Sequence, residues 1–78
     1  KGGFLMWVYK DYELINLNNI DSIEINIGED DNQFELDFLK NDKVINFFFY
    51  KDEKELKKAY ENIINGLRNT IDIKVLNI

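Results

Sequence analysis

The chain contains no cysteine, no histidine and no proline. Without cysteine, no disulfide can staple the fold and no thiolate can bind zinc. Without histidine, the side chain best suited to move protons near neutral pH is missing, and the common nucleophile–base dyads and triads cannot be built. Only a carboxylate or lysine site is left, so the expectation is a protein that is not an enzyme. Glycine is scarce and badly placed for phosphate chemistry: Gly2-Gly3 precede no strand–loop–helix pattern, and Gly28 and Gly66 stand alone. No cofactor and no metal are expected. Long apolar runs are absent as well. Crossing a bilayer takes roughly 18–20 apolar residues. The longest stretches here, 4–9 and 44–50, have the length of strands.

What is present describes a folded domain. The 78 residues suffice for one, read here as spanning 1–78. A domain of this size buries only about 60% of its unfolded surface. The chain is 45% hydrophobic and 14% aromatic against 32% charged, too apolar for a disordered segment. Its net charge of −5 is unevenly spread: residues 1–50 hold four lysines against ten acids, whereas residues 51–78 hold six basic and five acidic side chains. An acidic first half disfavours the nucleic-acid backbone, which is bound by displacing counterions with excess positive charge. It also disfavours anionic membrane surfaces. The chain reads as a soluble, cytoplasmic, acidic protein with neither nucleic acid nor membrane as partner.

Period-2 patterns fill the first fifty residues. Residues 1–3 read as a flexible lead-in or a leftover of an added tag, and 4–50 as sheet. Residues 4–9 are aromatic and β-branched, Lys10-Asp11 makes a tight turn, and 13–17 is a short second strand. After Asn18-Asn19, the third strand sets Ile23, Ile25 and Ile27 against Glu24 and Asn26. A polar turn at 28–32 leads to Phe34, Leu36 and Phe38, which alternate with Glu35 and Asp37; Asn41-Asp42 then turns the chain into a fifth strand, 43–50. Short turns imply antiparallel neighbours, so the expected fold class is α+β with an antiparallel meander of five strands.

The period then changes. Asp52 stands three residues before Glu55, a capping-box start, and Leu56, Ala59, Tyr60, Ile63, Ile64 and Leu67 follow as one apolar stripe. An amphipathic helix over 52–68 is predicted, with Gly66 as a late weakness or its end. Lys51, Lys54, Lys57 and Lys58 are interleaved with Glu53, Glu55 and Glu61, which reads as a solvated face of ion pairs. Residues 70–78 alternate again and form either a last strand or an ordered tail.

One helix covers one face of a sheet, yet two strands are apolar on both sides. Leu5, Trp7 and Tyr9 oppose Met6 and Val8; Ile45, Phe47 and Phe49 oppose Val44, Phe48 and Tyr50. Strong curling within one chain, cover by the last strand, or burial by a partner would each resolve the mismatch. The reading adopted is an interaction module that self-associates, as a homo-oligomer, or docks a protein partner through an apolar face formed by Met6, Val8, Val44, Phe48 and Tyr50. The alternative is an acidic inhibitor or nucleic-acid mimic that meets a basic partner through Glu29, Asp30, Asp31, Glu35 and Asp37. A small-ligand pocket between sheet and helix is a third reading, for which the sequence offers no polar anchor.

Two further groups carry bland meanings. Glu29-Asp30-Asp31-Asn32 lacks the spacing and the distal glutamate of a calcium loop and reads as a solvated hairpin loop. Trp7, Tyr9, Tyr12 and Tyr50 lack the basic groove that accompanies aromatic platforms for single strands. Trp7 reads as core, Tyr12 and Tyr50 as the more exposed rings.

Met6-Trp7-Val8 followed by Leu14-Ile15-Asn16-Leu17-Asn18-Asn19-Ile20 resembles the opening of a loose group of small bacterial and mobile-element proteins. These begin Met-Trp-(Ile/Val) and continue with an x-Ile-Asn-Leu-x-x-Ile segment. Their strands lead to an ending similar to Tyr50-Lys51-Asp52-Glu53-Lys54-Glu55 and a final amphipathic helix. The likeness covers about residues 6–67 and rests on hydrophobic-pattern motifs. It implies a β-meander with a C-terminal helix and no particular activity. It also implies that Met6 is the native start and that residues 1–5 are foreign. The chain departs from the group in its acidic loop, its Phe47-Phe48-Phe49 run and its segment after the helix.

Overall fold

The computed structural model describes residues 6–29, 33–68 and 74–78. The elements run β1 (Met6–Lys10), β2 (Glu13–Asn16), a 3-10 turn (Leu17–Asn19), β3 (Ser22–Ile27), β4 (Phe34–Lys40), β5 (Lys43–Tyr50), α1 (Glu53–Arg68) and β6 (Lys74–Asn77). The α+β class holds, but the strands divide into two three-stranded sheets, ordered β2-β1-β6 and β3-β4-β5. The single five-stranded meander is corrected to an antiparallel meander of β3, β4 and β5 beside a mixed sheet.

The division lies at Leu17–Asn19. The Asn16 side chain accepts a hydrogen bond from the Asn18 backbone N–H at 2.9 Å, and Ile20 N–H bonds back to Leu17 carbonyl at 3.1 Å. This local bonding competes with continued pairing and tightens the chain into a 3-10 turn instead of a hairpin. β3 then pairs only with β4, and the second edge of β1 is taken by β6, which runs parallel to it with Trp7 opposite Val75. Of the two readings for the C-terminal segment, residues 74–77 form the strand; Thr70, Ile71 and Ile73 lie outside the described residues, as do Phe4 and Leu5.

Two hairpins are closed by two-residue turns with positive φ at both central positions: Asp11 at 52° and Tyr12 at 68°, then Asn41 at 55° and Asp42 at 64°. This is the mirror-image turn that matches the twist of paired strands. Lys10 pairs with Glu13, so the first turn is Asp11-Tyr12 and not Lys10-Asp11.

α1 opens on Asp52, whose Oδ1 accepts from the Glu55 backbone N–H at 2.8 Å. Glu53 and Glu55 sit in its first turn, where negative charge meets the positive helix end. Lys57 pairs with Glu53 at 2.8 Å and Lys51 with Glu55 at 3.4 Å, both exposed. The buried stripe is Leu56, Ala59 and Ile63. It meets Met6 and Val8 of β1, Ile15 of β2, Leu36 and Phe38 of β4 and Phe48 of β5 in one core shared by both sheets. The Phe38 and Phe48 rings cross edge to face, centroids 5.7 Å apart. Gly66 lies within α1, and a Cβ there would come within 3.0 Å of Met6 Sδ. The bare backbone lets the last helical turn approach β1.

Candidate functional site

In β4, Leu36 and Phe38 enter the core, so Glu35, Asp37 and Leu39 line the opposite, outer side of the sheet. Glu35 has Asn26 of β3 on one side and Phe49 of β5 on the other. Asp37 lies between Glu24 and Phe47. The outer side of β5 carries Phe47 and Phe49, whose rings meet edge to face at 5.3 Å. They remain 47% and 52% exposed, and Ile45 beside them is 51% exposed. This is an apolar ridge next to a row of acids, with no lysine or arginine among the side chains facing outward from β3 and β4.

The acids are unusual for a surface. Asp37 is only 4% exposed. Its Oδ2 receives a long bond from Asn26 Nδ2 at 3.4 Å, and its Oδ1 receives no donor from the side chains or backbone around it. Leaving a buried acceptor unsatisfied costs about 1–3 kcal/mol, and more when it is charged. Glu35, two residues away on the same side, supplies the one nearby remedy. A hydrogen bond with Asp37, then burial, then the Asp37 charge hold the Glu35 carboxyl up to about 7, from an ordinary 4.5. Near pH 7 the Glu35 carboxyl is therefore still partly protonated and placed to donate to Asp37.

The residues expected at a docking surface are distributed differently. Met6 and Val8 are fully buried and Phe48 is 5% exposed, so these three are corrected from surface to core. Met6 and Val8 pack in the core with Leu56 and Ile63 of α1; for Phe48 the cause is a bulge: Phe38 pairs with Asn46 while Leu39 pairs with Val44, leaving Ile45 as an extra residue. An uninterrupted hairpin would have paired Phe38 with Ile45 and turned Phe47 and Phe49 inward. The one-residue slip exchanges the two faces of β5. Val44, before the bulge, stays exposed beside Leu39 on the outer side. Tyr50 is half-buried, its hydroxyl burial-shielded and unpartnered, with Lys10 Nζ 4.6 Å from its ring centroid. Burial raises the Tyr50 phenol above its ordinary range.

The acidic group separates too. Glu29 is exposed on the loop after β3, Glu35 is half-buried and Asp37 is buried, which corrects its expected place on an acidic surface. Asp30 and Asp31 lie outside the described residues. Among the described residues no three metal-capable side chains come together, and no helix is long and apolar enough to cross a membrane.

Two other regions bear on function. An open cleft of about 280 Å³ separates α1 from the 3-10 turn and β3, lined by Leu17, Ile20, Ile23, Tyr60, Ile64 and Leu67 with Asp21 and Ser22. The Asp21 carboxylate is already used, accepting from Asn41 N–H at 2.8 Å. The outer side of the first sheet carries Trp7 and Tyr9, both half-buried, with Leu14 and Val75 exposed. Trp7 is thus less enclosed than a core residue. The residues that sequence reasoning missed are Ile45, Phe47 and Phe49. Their two-faced strand was visible; the bulge that selects the face was not.

Comparison with known proteins adds no identity: no family model, no curated protein and no solved structure matches the chain.

Proposed function

We propose that this protein is a non-enzymatic interaction module that docks a protein partner through the outer face of the β3-β4-β5 sheet. The single observation behind the reading is the exposed Phe47–Phe49 pair, extended by Ile45 and Val44. Burying one such side chain contributes about 1.5–3 kcal/mol. Aromatic residues set among polar neighbours are also the usual anchors of protein interfaces. Left half-exposed, they forgo much of that contribution in a small domain whose whole stability is about 5–15 kcal/mol.

A partner other than a second copy is favoured by charge. Two copies stacked face to face would bring Glu24, Glu35 and Asp37 against their own equivalents, with like charges opposed across a desolvated interface. The acidic-inhibitor reading keeps one part: the acids and the aromatic pair share a face. An array that imitates nucleic-acid phosphates needs exposed charge, and the burial of Asp37 weighs against it.

Photo-crosslinking tests the reading. A benzoylphenylalanine placed at Phe47 or Phe49, in cells producing the chain, should give a discrete crosslinked protein species. The same probe at Lys57, on the exposed face of α1, should not. Equal crosslinking from all three positions, or none from Phe47 and Phe49, overturns the proposal.

A further inference from the structure

We infer that the free edge of β3 pairs with a second copy of the chain, the two β3-β4-β5 sheets joining antiparallel about a two-fold axis at Ile25. The contact runs along the rim of the sheet and leaves the outer face uncovered, so it goes beyond the docking reading above and does not depend on it.

The first observation is an open ladder. Lys40 and Lys43 flank a two-residue turn, so their backbone groups bond each other, and the backbone of Leu39, Asp37 and Glu35 faces β3. Their partners are Ser22, Glu24 and Asn26, and Gly28 N–H bonds Gln33 carbonyl at 2.9 Å in the same phase. The N–H and C=O groups of Ile23, Ile25 and Ile27 therefore point away from β4, where no strand lies among the described residues. Such an edge is ordinarily blunted by lysine, proline or a bulge. Within Ser22–Ile27 there is none of these. The edge of β5 differs, since Asn46 Oδ1 already holds the Phe47 N–H.

The second observation is that β3 complements itself. In an antiparallel pair centred on Ile25, Ile25 meets its own copy, Ile23 meets Ile27 and Glu24 meets Asn26. Each of these isoleucines then gives its N–H and receives one on its carbonyl. Moving the centre to Glu24 would set Glu24 against its own copy, which repulsion disfavours. The third is apolar surface along the same edge. Ile23, Ile25 and Ile27 share the α1 side of the sheet, and Ile27 is 40% exposed. Beside Ile23 opens the cleft of about 280 Å³ lined by Tyr60, Ile64 and Leu67 of α1. Pairing about Ile25 brings Ile27 of each copy beside Ile23 of the other, at the mouth of that cleft. Beyond the strand ends Asp21 faces Glu29 of the other copy, a repulsion that salt screens.

The test uses the full chain at about 0.15 M salt. Sedimentation equilibrium should show the mass rising from 9.3 kDa toward twice that value between micromolar and millimolar protein. In a mixture of ¹³C-labelled and unlabelled chains, filtered Overhauser spectra should join the Glu24 and Asn26 α-protons across the two copies, because that pair is not hydrogen-bonded and its Cα atoms lie close. Asn26→Lys sets lysine against Glu24 on both sides of the axis and should tighten the dimer about fivefold. Adding Glu24→Lys sets lysine against lysine and should weaken it at least about fivefold relative to the parent. Both positions are exposed, and the amide spectra should stay dispersed. F47S/F49S should leave association unchanged. A chain that stays monomeric throughout, a dimer without the Glu24–Asn26 contact, or one indifferent to the paired lysines overturns the inference. A dimer lost in F47S/F49S overturns it as well, because the copies would then meet through the outer face.

Discussion

Phe38 faces Asn46 across β4 and β5, although a plain two-residue turn at Asn41-Asp42 would have set it opposite Ile45. The bulge between them decides which phenylalanines of the 47–49 run are core. Phe48 stands opposite Leu36 and packs on Phe38, whereas Phe47 and Phe49 stand opposite Asp37 and Glu35. Truncating these three residues should therefore have unequal effects. Phe48→Ala should lose about 3–5 kcal/mol, enough to leave a small domain largely unfolded. Phe47→Ser and Phe49→Ser should each change stability by less than about 1 kcal/mol. Urea unfolding followed by tryptophan fluorescence measures all three. Equal losses would mean that the bulge is misplaced.

Asn46 also occupies hydrogen-bonding capacity at the free edge of β5. Its Oδ1 accepts from the Phe47 backbone N–H at 3.0 Å, and its Nδ2 donates to Glu13 on β2 at 2.8 Å. An edge amide is thereby satisfied and the two sheets are tied together by side chains. Asn46→Val removes both bonds and adds a β-branched residue to an apolar edge. This variant should aggregate at concentrations where the parent chain remains soluble, as read by light scattering.

The elements were legible in the sequence because local physics sets them. The alternation of Phe34, Leu36 and Phe38 against Glu35 and Asp37 marks β4, and Asp52 with Glu55 marks the helix start that the 2.8 Å cap realises. The apolar excess on β1 and β5 was legible as well, as a surplus of faces over lids. The choice of face was not, since it depends on one extra residue whose signature is a register slip rather than a residue type. Nor was the split into two sheets visible. Asn18-Asn19 suits a hairpin and a 3-10 turn equally, and the parallel β1–β6 pairing joins residues at opposite ends of the chain. The carboxyl pair was read as charge on a surface; only the burial of Asp37 and its hydrogen bond to Glu35 show why the Glu35 carboxyl is raised.

Tyr12 carries a cost that the fold does not repay. It is 95% exposed and held at φ 68°, a left-handed conformation unfavourable by roughly 1–2 kcal/mol for a residue with a Cβ. Glycine relieves that strain but is freer when unfolded. Tyr12→Gly should raise stability by about 1 kcal/mol, measured as a higher urea midpoint at unchanged slope. A loss instead would show that the ring makes a stabilising contact in solution.

Glu35 gives stability an unusual dependence on pH. Its carboxyl titrates near 7 in the folded chain, against an ordinary 4.5, chiefly through its hydrogen bond to Asp37. Between those values the folded chain keeps a proton that the unfolded chain has released. The resulting stabilisation is complete below pH 4.5 and is lost as pH rises through 7. Tm should therefore fall from pH 5 to pH 8. Relief of the general acidic repulsion acts in the same direction, so the comparison that isolates this pair is Glu35→Gln. The amide is neutral throughout and can donate to Asp37 Oδ1 at every pH. E35Q should melt higher than the parent at pH 8, close to it at pH 5, and with a flatter profile between. Glu35→Ala should flatten the profile by the opposite route: it removes the donor, leaves Asp37 Oδ1 unsatisfied and lowers Tm across the range. A slope that persists undiminished in E35Q would assign the pH dependence to overall charge and not to this pair.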